Sequence, residues 1–333
     1  MERVTRLRTC AWMITGMFAS KAVHLSEIAS HIPGRATGPS ITRRLRRFVD
    51  NAAVHVREWY APLAREWLAA AAASQDAVRL LVDASKVGFG HQLLMVSVAY
   101  RRRALPVAWT WIKGARGHGT SHKQAALLAY VRTWMPTDAH VVLAGDSEFG
   151  AVVLRGAPQA GSPGTTDARR AVAPLRSLVT EPGQCAWYAE ARMTQLHAHP
   201  ANLYAVWQPG EEDPWLLASN LPTARVAHRT YSRRMWLEEM FGDFKRHGFD
   251  PESTHLRHFQ RLSRLTLLVA LLYMWLVARG SQAIRAGQRH LIDRRDRRDL
   301  SIFQIGLRII ERYLVNHRRF SIRWIPYFAQ TVR

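Results

Sequence analysis

The sequence predicts an α/β fold, and three observations predict it. Four short apolar runs, "VRLLVDAS", "HQLLMVSVAY", "LPVAWTWIKG" and "HVVLAGDSEFG", read as strands. A helical stretch, "SHKQAALLAYVRTWM", stands between the third and the fourth, as a crossover to a parallel strand requires. Apolar residues make up 48% of 333, enough to bury a core in about two domains.

The elements follow in order. Residues 1–75 read as an N-terminal helical domain: "HLSEIASHIPG" and "SITRRLRRFVDNAAVHVREWYAPLAREWL" give two or three helices punctuated by Pro33, Gly34 and Pro39. The Ser-Ile-Thr start before Arg43, Arg44, Arg46 and Arg47 suits a helix cap, and the pattern resembles a helix-turn-helix; a plain bundle with a solvated Arg face fits it equally. Residues 76–155 carry the strands and the crossover helix, the first strand ending in Asp83 and the fourth in Asp146. Residues 156–225 open on a Gly- and Pro-rich loop and continue as a strand-rich insertion, "QCAWYAEARM", "NLYAVWQP" and "PWLLASN". Residues 226–333 return to helices and end in an Arg-rich tail. The most apolar run, "LTLLVALLYMWLVA", is short for a membrane span and reads as a buried core helix, so no membrane is expected.

The net charge of +22 bounds the partners. Only Lys21, Lys86, Lys113, Lys123 and Lys245 are lysines, which leaves 42 of the 47 basic residues as Arg. The flat guanidinium fork matches phosphate, so a polyanion, and nucleic acid first, is the expected partner. A coding bias toward Arg explains Arg over Lys but not 47 bases against 25 acids. With only Cys10 and Cys185, neither a disulfide framework nor a Cys-rich zinc site can be built, and a reducing cytoplasm fits.

The stretch "TYSRRMWLEEMFGDFKRHGFD" reads as one helix with two faces. Leu237, Met240 and Phe244 fall on an apolar side. Tyr231, Arg234, Glu238 and Lys245 fall in a second sector roughly 60° wide at about 100° per residue. A core-facing helix has no need of such a row. Glu239 lies off it, so Glu238 is the chosen carboxylate. Gly242 lies one turn beyond Glu238, where a missing side chain lets backbone or metal approach closely.

Two Asp at neighbouring strand ends and a Glu on a helix crossing the sheet can form an oxygen cage. Oxygen donors select Mg²⁺ or Mn²⁺ over zinc. Two such ions can activate a water or a 3′-hydroxyl and stabilise the leaving oxygen of phosphoryl transfer. Asp83, Asp146 and Glu238 are the candidate catalytic and metal ligands, although an Asp after a strand often only begins a turn.

"YSRRMWLEEMFGDFK" fits the pattern YxxRxxxExxxxxxK at Tyr231, Arg234, Glu238 and Lys245. This is similar to the signature of bacterial transposases of the insertion-sequence-four family. "LLVDAS" and "LAGDSEFG" resemble that family's two Asp strands. Asp83 and Asp146 are 63 positions apart, and Asp146 and Glu238 are 92 apart, room for an insertion before the Glu. Glu148 departs from the family, which often carries Gly or Ala there. The resemblance runs from about Arg79 to Gly280, with a looser match in the N-terminal helices.

The resemblance implies a ribonuclease H-like core with a mixed sheet flanked by helices, and cut-and-paste transposition. It implies two Mg²⁺ ions, replaceable by Mn²⁺, on Asp83, Asp146 and Glu238. It implies double-stranded DNA as partner, both element ends and target, and a homodimer in the synaptic complex. Tyr231, Arg234 and Lys245 would hold phosphates at the cleaved end, and Trp215, opening a strand of the insertion, would stack on a flipped base. Trp187 and Trp207 are rivals for that place, and a core role fits all three.

Outside the resemblance, "GARGHGTSHK" lacks the Lys of a phosphate-binding loop; Lys113, Arg116 and His118 read instead as a basic turn near DNA. The alternatives to a transposase are a nuclease of the same fold without strand transfer, or a domesticated DNA-binding protein without catalysis.

Overall fold

Four helices lead into the sheet: α1 (Glu2–Ser20), α2 (Leu25–Ser30), α3 (Gly38–Asp50) and α4 (Val56–Ser74). The computed structural model describes residues 2–87, 90–113, 121–146, 175–193, 199–245, 249–250, 254 and 256–328. The chain forms two compact units, one of Met1–Leu143 with Met235–Arg333, the other of Ala144–Arg234.

In the first unit, β1 (Val78–Val87), β2 (His91–Tyr100) and β3 (Arg103–Lys113) form an antiparallel meander. Helix α5 (Ser121–Arg132) then leads to β4 (Val141–Gly145), and the sheet order is β3-β2-β1-β4. At the starts of β1 and β4 the Val78 N–H donates to the His140 carbonyl at 2.8 Å. The sheet is mixed, with β4 running alongside β1. The α/β class is therefore present, with helices flanking a mixed four-stranded sheet. Nearly every residue of β2 and β3 is buried, as expected of strands covered on both faces.

Helices α1 to α4 share this unit, and their core is continuous with the sheet. In α4, Trp67 and Leu68 are fully buried and the Tyr60 hydroxyl donates to Pro106 in β3 at 2.8 Å. Seven residues, 31–37, separate α2 from α3, more than the three or four of a helix-turn-helix.

The apolar run forms the middle of α8 (Phe259–Arg285), which follows α6 (Ala224–Ser232) and α7 (Met235–Phe244). It is long and apolar enough to cross a membrane, yet 83% of its apolar window is buried inside the protein, as in a core helix. It packs on β3 and on α9 (Ile302–Val315). The α8–α9 crossing depends on glycine. A Cβ on Gly280 would meet the Ile302 carbonyl oxygen at 1.9 Å, and one on Gly306 the Leu276 carbonyl oxygen at 1.8 Å. Buried Arg264 of α8 donates to the Val49 and Val54 carbonyls, joining the N-terminal helices to α8. Among the described residues beyond α9 there is no helix or strand; the Trp67 indole donates to the Trp324 carbonyl at 3.1 Å and the Tyr100 hydroxyl to the Tyr327 carbonyl at 2.6 Å.

In the second unit, β5 (Cys185–Met193), β6 (His199–Val206) and β7 (Trp215–Ser219) form an antiparallel sheet in that order. A bulge interrupts β5 between Tyr188 and Ala191, where Glu190 takes a φ of 55°. Helix α6 follows, its Thr223 cap accepting the Val226 N–H. The stretch expected to be strand-rich thus contains three strands. The Gly- and Pro-rich loop before it lies outside the described residues.

Candidate functional site

The single helix expected over residues 230–250 is two. Helical bonding tightens at Arg233 and Arg234, whose N–H groups bond three residues back, to Thr230 and Tyr231. Tyr231 therefore lies in the last turn of α6, Arg234 sits in the connecting turn, Glu238 lies in the first turn of α7, and Lys245 comes one residue after α7. The four residues do not form a stripe on one regular helix.

Within the first unit, α7 lies against β1, β2 and β3. Its apolar face is the expected one: Leu237, Met240 and Phe244 are buried, with Phe241 beside them. Glu238 is exposed on the same helix. Asp83 is half-buried within β1 rather than at its end, because pairing with β2 continues through Ser85, Lys86 and Val87. One Asp83 carboxylate oxygen accepts the Ala84 N–H at 2.7 Å, which fixes the carboxylate's orientation. Lys245 donates from Nζ to the Lys86 carbonyl at 2.7 Å, tying the end of α7 to the strand that carries Asp83.

A second set of charges holds α7 down. Arg103, the first residue of β3, donates from Nε to Asp243 at 2.8 Å and reaches Glu239 at 3.3 Å. Asp243 is 2% exposed, so its carboxylate sits in the interior with the guanidinium as its counter-ion. Nearby Tyr273 is fully buried; burial, then the charge of Asp243, raises its hydroxyl pKa well above the ordinary value. Nothing in "RRRA" distinguishes Arg103 from Arg101 and Arg102. Only the turn does: those two take φ of 42° and 65° in the hairpin, and Arg103 begins the strand.

Asp146 directly follows β4 and is half-buried; it belongs to the second unit. Among the described residues no three or more His, Cys, Asp or Glu side chains are grouped as a metal cage. The all-carboxylate donor set of Asp83, Asp146 and Glu238 nonetheless suits a hard cation such as Mg²⁺. On α7, Glu239 and Asp243 are committed to Arg103.

The second unit gathers rings. Trp215, at the start of β7, stacks on His228 of α6 with centroids 5.5 Å apart and planes 29° off parallel. Tyr231 meets Trp215 edge-on at 5.1 Å, and the Arg234 guanidinium lies 5.4 Å from the Tyr231 ring centre. Tyr204 of β6 meets His228 at 5.9 Å and Trp187 at 6.3 Å. Trp215, Tyr231 and Arg234 thus form one group. His228 was missed by the sequence reading; its place one helical turn before Tyr231 was the available signal. Trp207 stands apart, its indole donating to the Glu211 carbonyl.

Of the other candidates, Arg43, Arg46 and Arg47 are exposed on α3, while Arg44 lies over the Trp12 ring at 5.0 Å. Lys113 is exposed at the end of β3; Arg116 and His118 lie outside the described residues. No protein-family model matches the chain, and no curated protein matches it significantly.

Proposed function

We propose that this chain is a DNA transposase with a ribonuclease H-like core, which binds element ends and performs metal-dependent cleavage and strand transfer. What carries the proposal is the placement of Glu238 on a helix packed across β1, the strand that bears Asp83. Strand β4, which precedes Asp146, lies beside β1 in the same sheet. In this proposal Asp83, Asp146 and Glu238 hold the Mg²⁺ or Mn²⁺ ions, whose chemistry when bound is activation of a water or 3′-hydroxyl toward phosphorus.

The remaining roles belong to the chain. Arg103 keeps α7 seated through Asp243 and Glu239. Lys245 braces the end of α7 against β1, and this contact supports a bracing role more than the phosphate contact expected from sequence. Tyr231 and Arg234 offer a ring, a hydroxyl and a guanidinium to the DNA end, and Trp215 offers a stacking surface. Exposed Arg43, Arg46 and Arg47 supply phosphate contacts from α3. Two copies would meet when two ends are held together.

A non-catalytic DNA-binding protein is the second reading, supported by the net charge of +22 and the exposed arginines of α3, which need no metal site. One experiment separates them. Asp83→Asn, Asp146→Asn and Glu238→Gln are each compared with the wild type for cutting and joining of DNA flanking the coding frame, in Mg²⁺. Each should abolish both reactions and leave binding within about twofold. Cutting by all three variants would remove the transposase reading. Binding without cutting by the wild type would favour the second.

A further inference from the structure

We propose that the C-terminal strap, together with the exposed side of α9, is a second, sequence-independent surface for the phosphate backbone of DNA. None of its residues belongs to the carboxylates, the aromatic group or α3.

The sequence sets it apart. From Arg312 to the end of the chain there is no Asp or Glu. The last acid before it, Glu311, is paired with Lys21 of α1 at 2.8 Å. Several arginines elsewhere are paired with acids: Arg289 with Asp293, Arg297 with Asp299 and Arg79 with Asp76. Arg308 and Arg312 are exposed four residues apart on one side of α9, whose opposite side, with Phe303, Ile309 and Ile310, is buried. Arg318, Arg319 and Arg323 continue the basic series along the strap and are exposed.

The strap is held in place, so its charges are fixed rather than loose. Phe320 packs on Trp275 and Tyr313, and Phe328 on Tyr100. Tyr327 donates its N–H to Ser281 while its ring lies under the Arg285 guanidinium at 4.0 Å. The Trp324 and Tyr327 carbonyls accept from Trp67 and Tyr100. Aromatic anchors alternate with outward arginines, so little ordering entropy remains to be lost when a polyanion binds. A flat guanidinium fork suits phosphate oxygens. An anionic bilayer fits less well: the main apolar face of α9 is in the core, and the exposed Leu314, Val315, Ile322 and Ile325 fall at the helix end and on the non-helical strap rather than on one free helix face.

The experiment uses the full chain, a fluorescein-labelled 20-base-pair duplex of arbitrary sequence, and a salt series. Arg312→Gln/Arg319→Gln/Arg323→Gln removes three charges that stand clear of the anchors. The slope of log affinity against log salt should shrink by about 2.7, from about 0.9 per phosphate, and affinity at moderate salt should fall at least about tenfold. The lysine triple at the same positions keeps the charge and should restore most of the slope. Arg294→Gln/Arg295→Gln/Arg298→Gln, among the acids before α9, should change the slope by less than one.

An unchanged slope in the glutamine triple of the tail, with a wild-type melting curve, would overturn the proposal. So would equal losses in the two glutamine triples, or tighter binding of phosphatidylserine vesicles than of duplex. If the glutamine triple fails to fold, the single variants Arg312→Gln, Arg319→Gln and Arg323→Gln decide: each should lower the slope by about 0.9, and three unchanged slopes overturn the proposal. Loss of cutting with this binding intact would remove the transposase reading alone. A strap without effect on binding, in a protein that still cuts, would remove this inference alone.

Discussion

Arg103 and Asp243 form a buried ion pair at 2.8 Å that fastens α7 to the hairpin end of β3. Asp243 lies in the stretch that carries Glu238 and Arg103 begins β3, yet neither residue belongs to the YxxRxxxExxxxxxK pattern.

Removing one partner should cost far more than removing both. Arg103→Met strands the Asp243 carboxylate in the interior, where loss of one buried partner is worth about 3–5 kcal/mol. Arg103→Met/Asp243→Leu replaces the pair with apolar volume and should recover most of that loss. Urea unfolding of the three proteins measures the difference. A double variant as unstable as Arg103→Met would mean that the site requires the charge itself.

Gly242 separates stability from function. No described atom lies within 4 Å of where its Cβ would be, so packing does not require glycine there. In the middle of a helix, Gly242→Ala should stabilise the protein by roughly 0.5–1 kcal/mol. If DNA approaches that side of α7, the same methyl should lower cutting severalfold. A variant that is both more stable and fully active would remove Gly242 from the DNA surface.

Gly280 and Gly306 predict the opposite. Each alanine would place a methyl within 2 Å of a backbone oxygen of the facing helix, at Ile302 or at Leu276. The helices must separate, so Gly280→Ala and Gly306→Ala should each lose about 3 kcal/mol or more, at the upper end for overpacking. Thermal melts check this, and a shift under about 2 °C in either variant would show that the crossing can relax.

The two cysteines should differ in reactivity and in pH response. Burial pushes the Cys10 thiol up to about 12, while Cys185 is exposed. At pH 8 iodoacetamide should label Cys185 alone in the native protein and both residues in denaturant. The fold favours the neutral Cys10 thiol. Its contribution to stability is therefore complete below the unfolded value near 9 and is lost as pH rises from there toward 12. Cys10→Ser should weaken that alkaline loss; an unaltered alkaline limb would assign it to other groups, Tyr60 and Tyr273 among them.

Periodicity carried the parts of this fold that depend on solvent contrast. The strands, the crossover helix, the apolar core helix and the buried side of α7 were legible because apolar residues recur at strand or helix spacing. The break at Arg233–Arg234 was not, since no Gly or Pro marks it and the change is only from four-residue to three-residue bonding. The length of β1 beyond Asp83 was hidden for a related reason: Ala84, Ser85 and Lys86 are poor strand formers held by pairing with β2. Arg103 was illegible because a charged triplet in a turn reads as solvated, and only the backbone angles of Arg101 and Arg102 direct the third arginine inward. In the candidate site, residue types were readable, but the contacts of Lys245 with Lys86 and of Trp215 with His228 are long-range and leave no local trace.

Trp215 provides the last test, because its surroundings make two roles distinguishable. One ring face is stacked by His228 and an edge is met by Tyr231, so part of its surface already works within the second unit. Aromatic pairs of this kind are worth about 0.5–1.5 kcal/mol each beyond area burial. Trp215→Ala should therefore lose some stability in any case, and stability alone cannot assign the residue. The discriminating measurement is the ratio of two steps. A base leaving the stack is stabilised by an aromatic surface at a cost of a few kcal/mol of unstacking, and this acts only after the first strand is open. If cleavage by this proposed transposase passes through a DNA hairpin intermediate, Trp215→Ala should slow hairpin formation at least about tenfold more than the first nick, and a 2-aminopurine at the end position should lose its fluorescence change. Trp215→Phe, which keeps a ring, should restore part of both signals. His228→Ala frees one face of Trp215 and should alter the fluorescence change while sparing the nick. Equal slowing of both steps by Trp215→Ala, with no rescue by phenylalanine, would return Trp215 to a purely structural role in the sheet.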